Sequence, residues 1–287
     1  MKHYLLATLC LIGTVFRLLP VNSQIIGDTF ASAKTKGTAN MTYIYVNSPG
    51  FSFKNSTGDI EGICVDIMKE FAKYVESTHK LKVNLKYHNT SDHDNFPMFL
   101  DQIKKGKGGV FGLGNITITE DRKATYNFSQ PFISNITIIM SHSSVPSLTS
   151  LDKIGTTFRG MKAYAERGTT NELQLNEIKE KYFPSLEILY VDSGVDLLEK
   201  IVSDRKSFTN IDFTYYLAVL KQRKPIKRHQ VGDNISEKFG IIMPKSNDWK
   251  PLMDSFFNSG FIGGPVYRKI IARHLGENAL KMLDTFK

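Results

Sequence analysis

Gly114–Phe132 reads GNITITEDRKATYNFSQPF, crowding Asn115, Thr117, Thr119, two acids and Arg122 behind a glycine-rich apolar run. A guanidinium presents its donors in a planar fork that matches a carboxylate bidentately, and threonine hydroxyls can complete the remaining lone pairs. The competing use of Arg122 is a solvated charge beside Glu120 and Asp121. A second stretch, ERGTTNEL, sets Gly168, Thr169 and Thr170 between a predicted strand and a predicted helix. Free N–H groups and the positive helix end make an anion seat there, although a plain threonine cap would also suit it. Third, Asp212 closes SFTNID at a strand-to-helix junction, where a lone carboxylate suits an ammonium group or caps the helix. Two carboxylate-binding features and one ammonium-binding feature, at equivalent points of two units, describe a site for an α-amino acid.

The elements that must position these residues alternate. MTYIYV (41–46) reads as a strand, and Ile63, Ile67, Phe71 and Val75 recur at helical spacing over 62–77. LKVNLKY reads as a strand, 96–105 as a helix and GGVFGLG as a buried strand. This β-α-β-α-β order predicts a parallel sheet with crossover helices. After the apolar strand in SQPFISNITIIMSHSS the order restarts: MKAYA, helix 169–181, LEILYV, helix 195–203, SFTNI and helix 213–221. Two such units predict an α/β protein of two lobes. EKFGIIMPK reads as a strand feeding an amphipathic helical tail, and residues 24–40 read as a polar linker or disordered leader. Open sheets of this kind bind ligands beyond the carboxyl ends of their strands, where Arg122, Gly168 and Asp212 all fall.

Residues 1–23, MKHYLLATLCLIGTVFRLLPVNS, have a basic start, an apolar middle and a small-residue end, the pattern of a secretory signal peptide. Its removal takes away Lys2 and Arg17 and no acid, so a net charge of +9 becomes +7. It also removes Cys10 and leaves Cys64 alone, so an exported protein would be held together by its core and not by an internal disulfide. Cys64 lies among apolar residues and reads as buried and inert. No later segment is long and apolar enough to span a membrane, which predicts a soluble mature protein. The basic residues are scattered apart from KQRKPIKRH (221–229), which reads as a solvated loop or a docking patch.

GICVDIMKEFAKYV, GNITITEDRKATYNFSQPF, RGTTNEL and SFTNID occur in the order and spacing of the periplasmic amino-acid-binding proteins. Over roughly residues 40–245 the chain resembles family 3 of the ABC-transporter solute-binding proteins, relatives of the ionotropic glutamate receptor ligand cores. The resemblance implies a two-lobed type 2 periplasmic-binding (Venus-flytrap) fold with mixed central sheets and two hinge strands. It implies lobe 1 over 24–139, lobe 2 over 140–236 and a return to lobe 1 with C-terminal helices over 237–287. It also implies that Arg122 grips a ligand α-carboxylate and that Thr117 touches carboxylate or ammonium. Backbone at Gly114 or Asn115 takes the amine, Thr170 with the amides of Gly168 and Thr169 takes the carboxylate, and Asp212 takes the ammonium. The implied partners are an amino acid and an ABC-transporter permease in the membrane, for a periplasmic monomer that is not an enzyme and has no cofactor. A stacking aromatic is frequent after the first strand in that family; Ser48 stands there, with Phe51 or Phe53 as the substitute.

Other chemistries have less to stand on. Enzymes of this fold, the cyclohexadienyl dehydratases, share a string like GTTNE, but their catalytic Glu would fall about where Tyr215 stands, and a phenol does not replace a carboxylate acid. A binder of a non-amino-acid carboxylate is the other alternative. His88, Asp92, His93 and Asp94 have ligand types that suit a divalent ion, but in a polar loop far from the strand mouths. No Ser-His-Asp elbow, Walker loop, CxxC pair or HExxH occurs, and no basic face interleaved with aromatics argues for nucleic acid.

Overall fold

The computed structural model describes residues 24–89 and 95–284; the signal-peptide segment 1–23 and the acids and histidine at 92–94 lie outside them. The chain forms two α/β lobes, each built on a five-stranded mixed sheet. Lobe 1 contains α1 (Phe30–Lys36), β1 (Thr38–Tyr45), a hairpin of β2 (Phe53–Lys54) and β3 (Ile60–Glu61), α2 (Ile63–His79) and β4 (Lys82–Asn89). It continues through α3 (Phe96–Lys105), β5 (Val110–Leu113), α4 (Glu120–Thr125) and β6 (Tyr126–Phe128). β1 lies between β4 and β5, parallel to both.

The pleat explains why the second half of β1 is buried on both faces. Met41, Tyr43 and Tyr45 of β1 pack on the side of α2, whereas Ile44 and Val46 pack against Phe99 and Ile103 of α3. Alternate residues of a strand face opposite sides, so a strand covered on both faces reads as a continuous hydrophobic run. On α2, Ile63, Ile67, Phe71 and Val75 are all fully buried, and each such side chain contributes about 1.5–3 kcal/mol of transfer free energy. Gly62 starts the helix at φ 132°, where a Cβ would lie 2.3 Å from the Phe51 carbonyl oxygen, so the turn requires glycine.

Lobe 2 is built from β7 (Ile133–His142), α5 (Ile154–Thr157), β8 (Lys162–Glu166), α6 (Thr170–Tyr182), β9 (Ile188–Val191) and α7 (Gly194–Ser203). β10 (Ser207–Asp212), α8 (Phe213–Lys221) and β11 (Ile226–Phe239) complete it. β7 and β11 pair antiparallel from Ile226↔His142 down to Phe239↔Ile133. Their far ends, Ile133 and Phe239, belong to the core of lobe 1, so these two strands are the hinge. β12 (Ile242–Pro244) then rejoins the first sheet between β5 and β6. α9 (Lys250–Phe256), α10 (Pro265–Leu275) and α11 (Glu277–Asp284) close over lobe 1. Among the described residues no helix is long and apolar enough to cross a membrane.

Three stretches differ from the sequence reading. Residues 24–40 are not a linker: Thr29 caps α1 by accepting from the Ser32 amide at 3.1 Å, and Phe30 packs on Trp249 at 4.9 Å between centroids. The Trp249 indole also donates to the Asp28 carbonyl at 2.8 Å. The 221–229 cluster is not a loop for its whole length, because Ile226 opens the 14-residue β11. Its charged residues and Gly232 hide the strand period, and His229 is buried against Ser141 of β7 at 2.7 Å. The 237–245 stretch is two strands in different sheets, divided where Ser129 and Ile241 bond to each other.

Candidate functional site

The carboxyl ends of the strands in both lobes face each other across one cleft, a cavity of about 50 Å³. Lobe 1 contributes Asn47 after β1, Asn115 and Thr117 after β5, Arg122 from α4 and Phe96 from the start of α3. Lobe 2 contributes Thr169 and Thr170 at the start of α6, Ser193 before α7, Asp212 at the end of β10 and Tyr215 from α8.

Local capping decides which side chains enter. Thr119 accepts from the Arg122 amide at 3.1 Å and is consumed as the cap of α4. That cap starts a helix whose third residue is Arg122, and so aims the guanidinium back into the cleft. There Nη1 donates to the Thr117 carbonyl at 2.9 Å, and Nη2 crosses to lobe 2 and donates to the Gly168 carbonyl at 3.1 Å. The guanidinium also lies 5.0 Å from the centroid of Phe96, within range of a cation–π attraction. Burial pulls the Arg122 pKa down, and the negative charges of Glu237 and Asp212, with Tyr126, oppose that pull.

Gly168 holds φ 76° and donates its amide to Glu172 at 2.7 Å. Thr169 caps α6, accepting from the Glu172 amide at 3.2 Å. Thr170 reaches across the cleft to Thr117, with 3.3 Å between the hydroxyls. Asp212 occupies the cap position of α8 yet makes no capping bond. Its carboxylate instead takes amide N–H groups from Asn115 of lobe 1, from Asn135 at 2.8 Å and from Asn171 at 3.3 Å. Burial, and then the charge of Glu237, push the Asp212 carboxyl up to about 7, against the three amides that favour its ionised form.

The structure therefore gathers Arg122, Thr117, Asn115, Thr169, Thr170 and Asp212 around one cavity, with Gly168 presenting its carbonyl to Arg122. Gly114 is set back: its carbonyl accepts from the Cys64 thiol at 3.3 Å. Burial pushes that thiol up to about 12, which makes it a poor nucleophile. Phe51 and Phe53 do not reach the cleft. Phe51 is 1% exposed, 5.4 Å from Phe239 and 6.4 Å from Phe132, so its ring is core. Phe53 faces a separate groove with Lys54 and His274. Ser48 is also buried, beneath Asn115, to which it donates at 2.6 Å. The cleft aromatics are Phe96 and Tyr215.

Sequence reasoning also missed the shell behind Asp212. Glu237 of β11 accepts from Thr117 at 3.2 Å, from Asn135 at 2.9 Å and from Gln174 of α6 at 3.1 Å, and Gln174 accepts from Thr137 at 2.7 Å. The available signal was a lone acid two residues before FGII, at a strand position paired with Asn135. Of the two histidines and two acids weighed for a metal, only His88 lies among the described residues, on β4.

Two mixed α/β lobes joined by two strands, with polar residues converging between them, define the two-lobed type 2 periplasmic-binding fold. Residues 42–259 match the model of the bacterial extracellular solute-binding proteins, family 3, and the chain belongs to that family. It is similar in structure to an ancestral arginine-binding protein bound to arginine, with a TM-score of 0.67 and 22% identity over 83% of this chain and 98% of that one. An ancestral amino acid-binding protein described as a precursor of cyclohexadienyl dehydratase matches at a TM-score of 0.64 and 18% identity, over 84% and 96%. Both likenesses bear on the fold. A curated relative, membrane-bound lytic murein transglycosylase F of Pseudomonas fluorescens, is 26% identical over 227 residues, 77% of this chain. The chain spans 43% of the length of that relative.

Proposed function

We propose that the protein captures an α-amino acid in the cleft as an exported solute-binding protein, and delivers it to an ABC-transporter permease in the membrane. The observation that carries this reading is the placement of Asp212: a buried carboxylate at a helix start, free of capping duty, across one small cavity from Arg122. In this reading the ligand carboxylate takes the Arg122 fork, the Thr117 and Thr170 hydroxyls and the amide end of α6. The ligand ammonium takes Asp212 and the backbone near Asn115. Both ends of the ligand then touch both lobes, so binding favours the closed form by the difference in contacts between open and closed states. Periplasmic location, a monomeric state and the lobe limits at 139/140 and 236/237 belong to the same proposal.

The test is a thermal-shift screen against amino acids, simple carboxylates and prephenate. A ligand at 100 times its Kd adds about 2.7 kcal/mol of stability. The expected result is a raised midpoint with one or a few amino acids. A rise confined to prephenate-like acids would favour the dehydratase-type alternative, for which the cleft offers Tyr215 where a carboxylate acid is required.

A further inference from the structure

Glu237 lies behind the cleft, yet it touches every part that must move. It is 7% exposed on hinge strand β11, and its carboxylate collects Thr117 from lobe 1, Asn135 from the other hinge strand and Gln174 from lobe 2. One amide nitrogen, Nδ2 of Asn135, donates both to Glu237 at 2.9 Å and to Asp212 at 2.8 Å. The two carboxylates therefore lie within about 6 Å of each other, the range in which neighbouring charges reset a pKa. Both are buried, Asp212 being 3% exposed.

The surrounding elements supply little positive charge. From β7 the pair meets Asn135, from α6 Asn171 and Gln174, and from the loop after β5 Asn115 and Thr117, all neutral. β8 brings Glu166 to the cleft and α8 brings Tyr215. The cation in the cleft is Arg122 on α4, whose field reaches both acids while its N–H groups are bonded to two backbone carbonyls. Two buried acids beside one arginine leave an excess negative charge in a small enclosed space, which is costly unless a proton or a bound cation compensates it.

We propose that Glu237 is a positioning residue of the ligand site, which fastens Thr117 and the two lobes to the hinge and by its nearby charge helps keep a proton on Asp212 while the cleft is empty. An ammonium-bearing ligand displaces that proton, so capture releases it to solvent and tightens as pH rises through the titration of Asp212. The ligand half of this proposal rests on the amino-acid reading of the cleft; the proton on Asp212 does not.

The unliganded protein supplies the first test. The Asp212 carboxyl is pushed up to about 7 from 3.8, so its contribution to stability is complete at low pH and is lost as pH rises towards 7. Thermal midpoints of wild type, Glu237→Gln, Asp212→Asn and the double variant are measured between about pH 4 and 8. The expected result is a fall across that interval in wild type, partly flattened by Glu237→Gln, which leaves Asp212 buried, and flattened further by Asp212→Asn, with the double variant no flatter than Asp212→Asn. A Glu237→Gln protein that is merely less stable, with the wild-type slope intact, would overturn the influence of Glu237 on Asp212 and leave Glu237 a structural residue. For the ligand that the screen identifies, calorimetry at pH 6 in two buffers of different ionisation enthalpy counts protons. Release approaching one per ligand in wild type, and much less in Glu237→Gln, is expected; equal release in both overturns the coupling. A slope that collapses in the variants while no amino acid binds would sustain the proton on Asp212 and sink the amino-acid reading instead.

Discussion

The two ends of the cleft are built by different means. At the Arg122 end, one short helix and its Thr119 cap aim a flexible cation whose partners are backbone carbonyls, present whatever the neighbouring side chains are. At the Asp212 end, a buried acid is held by side-chain amides from three separated places, Asn115, Asn135 and Asn171, and is biased by Glu237 on a hinge strand. The arginine end is a local construction that can exchange its partners. The aspartate end depends on the closure of the whole molecule.

Three substitutions sharpen that contrast, in descending order of effect. Arg122→Ala removes one partner of a buried charge pair in the liganded state, a loss of about 2–5 kcal/mol and so roughly 30- to several-thousand-fold in Kd. Its thermal midpoint should fall near neutral pH and less in acid, because two carbonyls lose a donor and the two buried acids lose the cation beside them. Binding within a fewfold of wild type by calorimetry would break the assignment of Arg122 to the carboxylate. Asp212→Asn should weaken amine-bearing ligands by about ten- to a hundredfold, the range of a hydrogen bond to a charged group, and spare simple carboxylates. Unlike Arg122→Ala, it should raise the midpoint near neutral pH relative to acid, since it deletes the charge that burial disfavours. Equal weakening of amines and carboxylates would erase the distinction between the two ends. Thr119→Ala is the smallest change: about 1 kcal/mol of stability lost with its cap, read by denaturant titration, and affinity altered no more than a fewfold.

The same contrast explains what could be read from the sequence. Arg122, Thr117, Thr170 and Asp212 each sit at a junction where strand gives way to helix within a few residues, so local pattern finds them. The capping bond of Thr119, and the absence of one at Asp212, are matters of geometry that spacing leaves open. Glu237 meets Thr117 and Asn135 across more than 100 residues of chain, and no window contains both partners. The aromatics failed for a related reason. Phe51 has the position of a stacking residue but packs into the core, whereas Phe96 has the spacing of a core residue and stands at the cleft. Strand β11 was obscured because its outward side chains are charged while its pairing with β7 supplies the order.

Where the first and last described segments attach has a mechanical consequence. Trp249 binds Asp28 and Phe30, and Tyr267 of α10 donates to the Phe132 carbonyl at 2.6 Å, so both terminal segments are fastened to the same lobe. Among the described residues the chain passes between that body and lobe 2 through β7 and β11. Tension applied between residues 28 and 275 would run through lobe 1 and bypass the hinge, leaving the jaw free to swing under load.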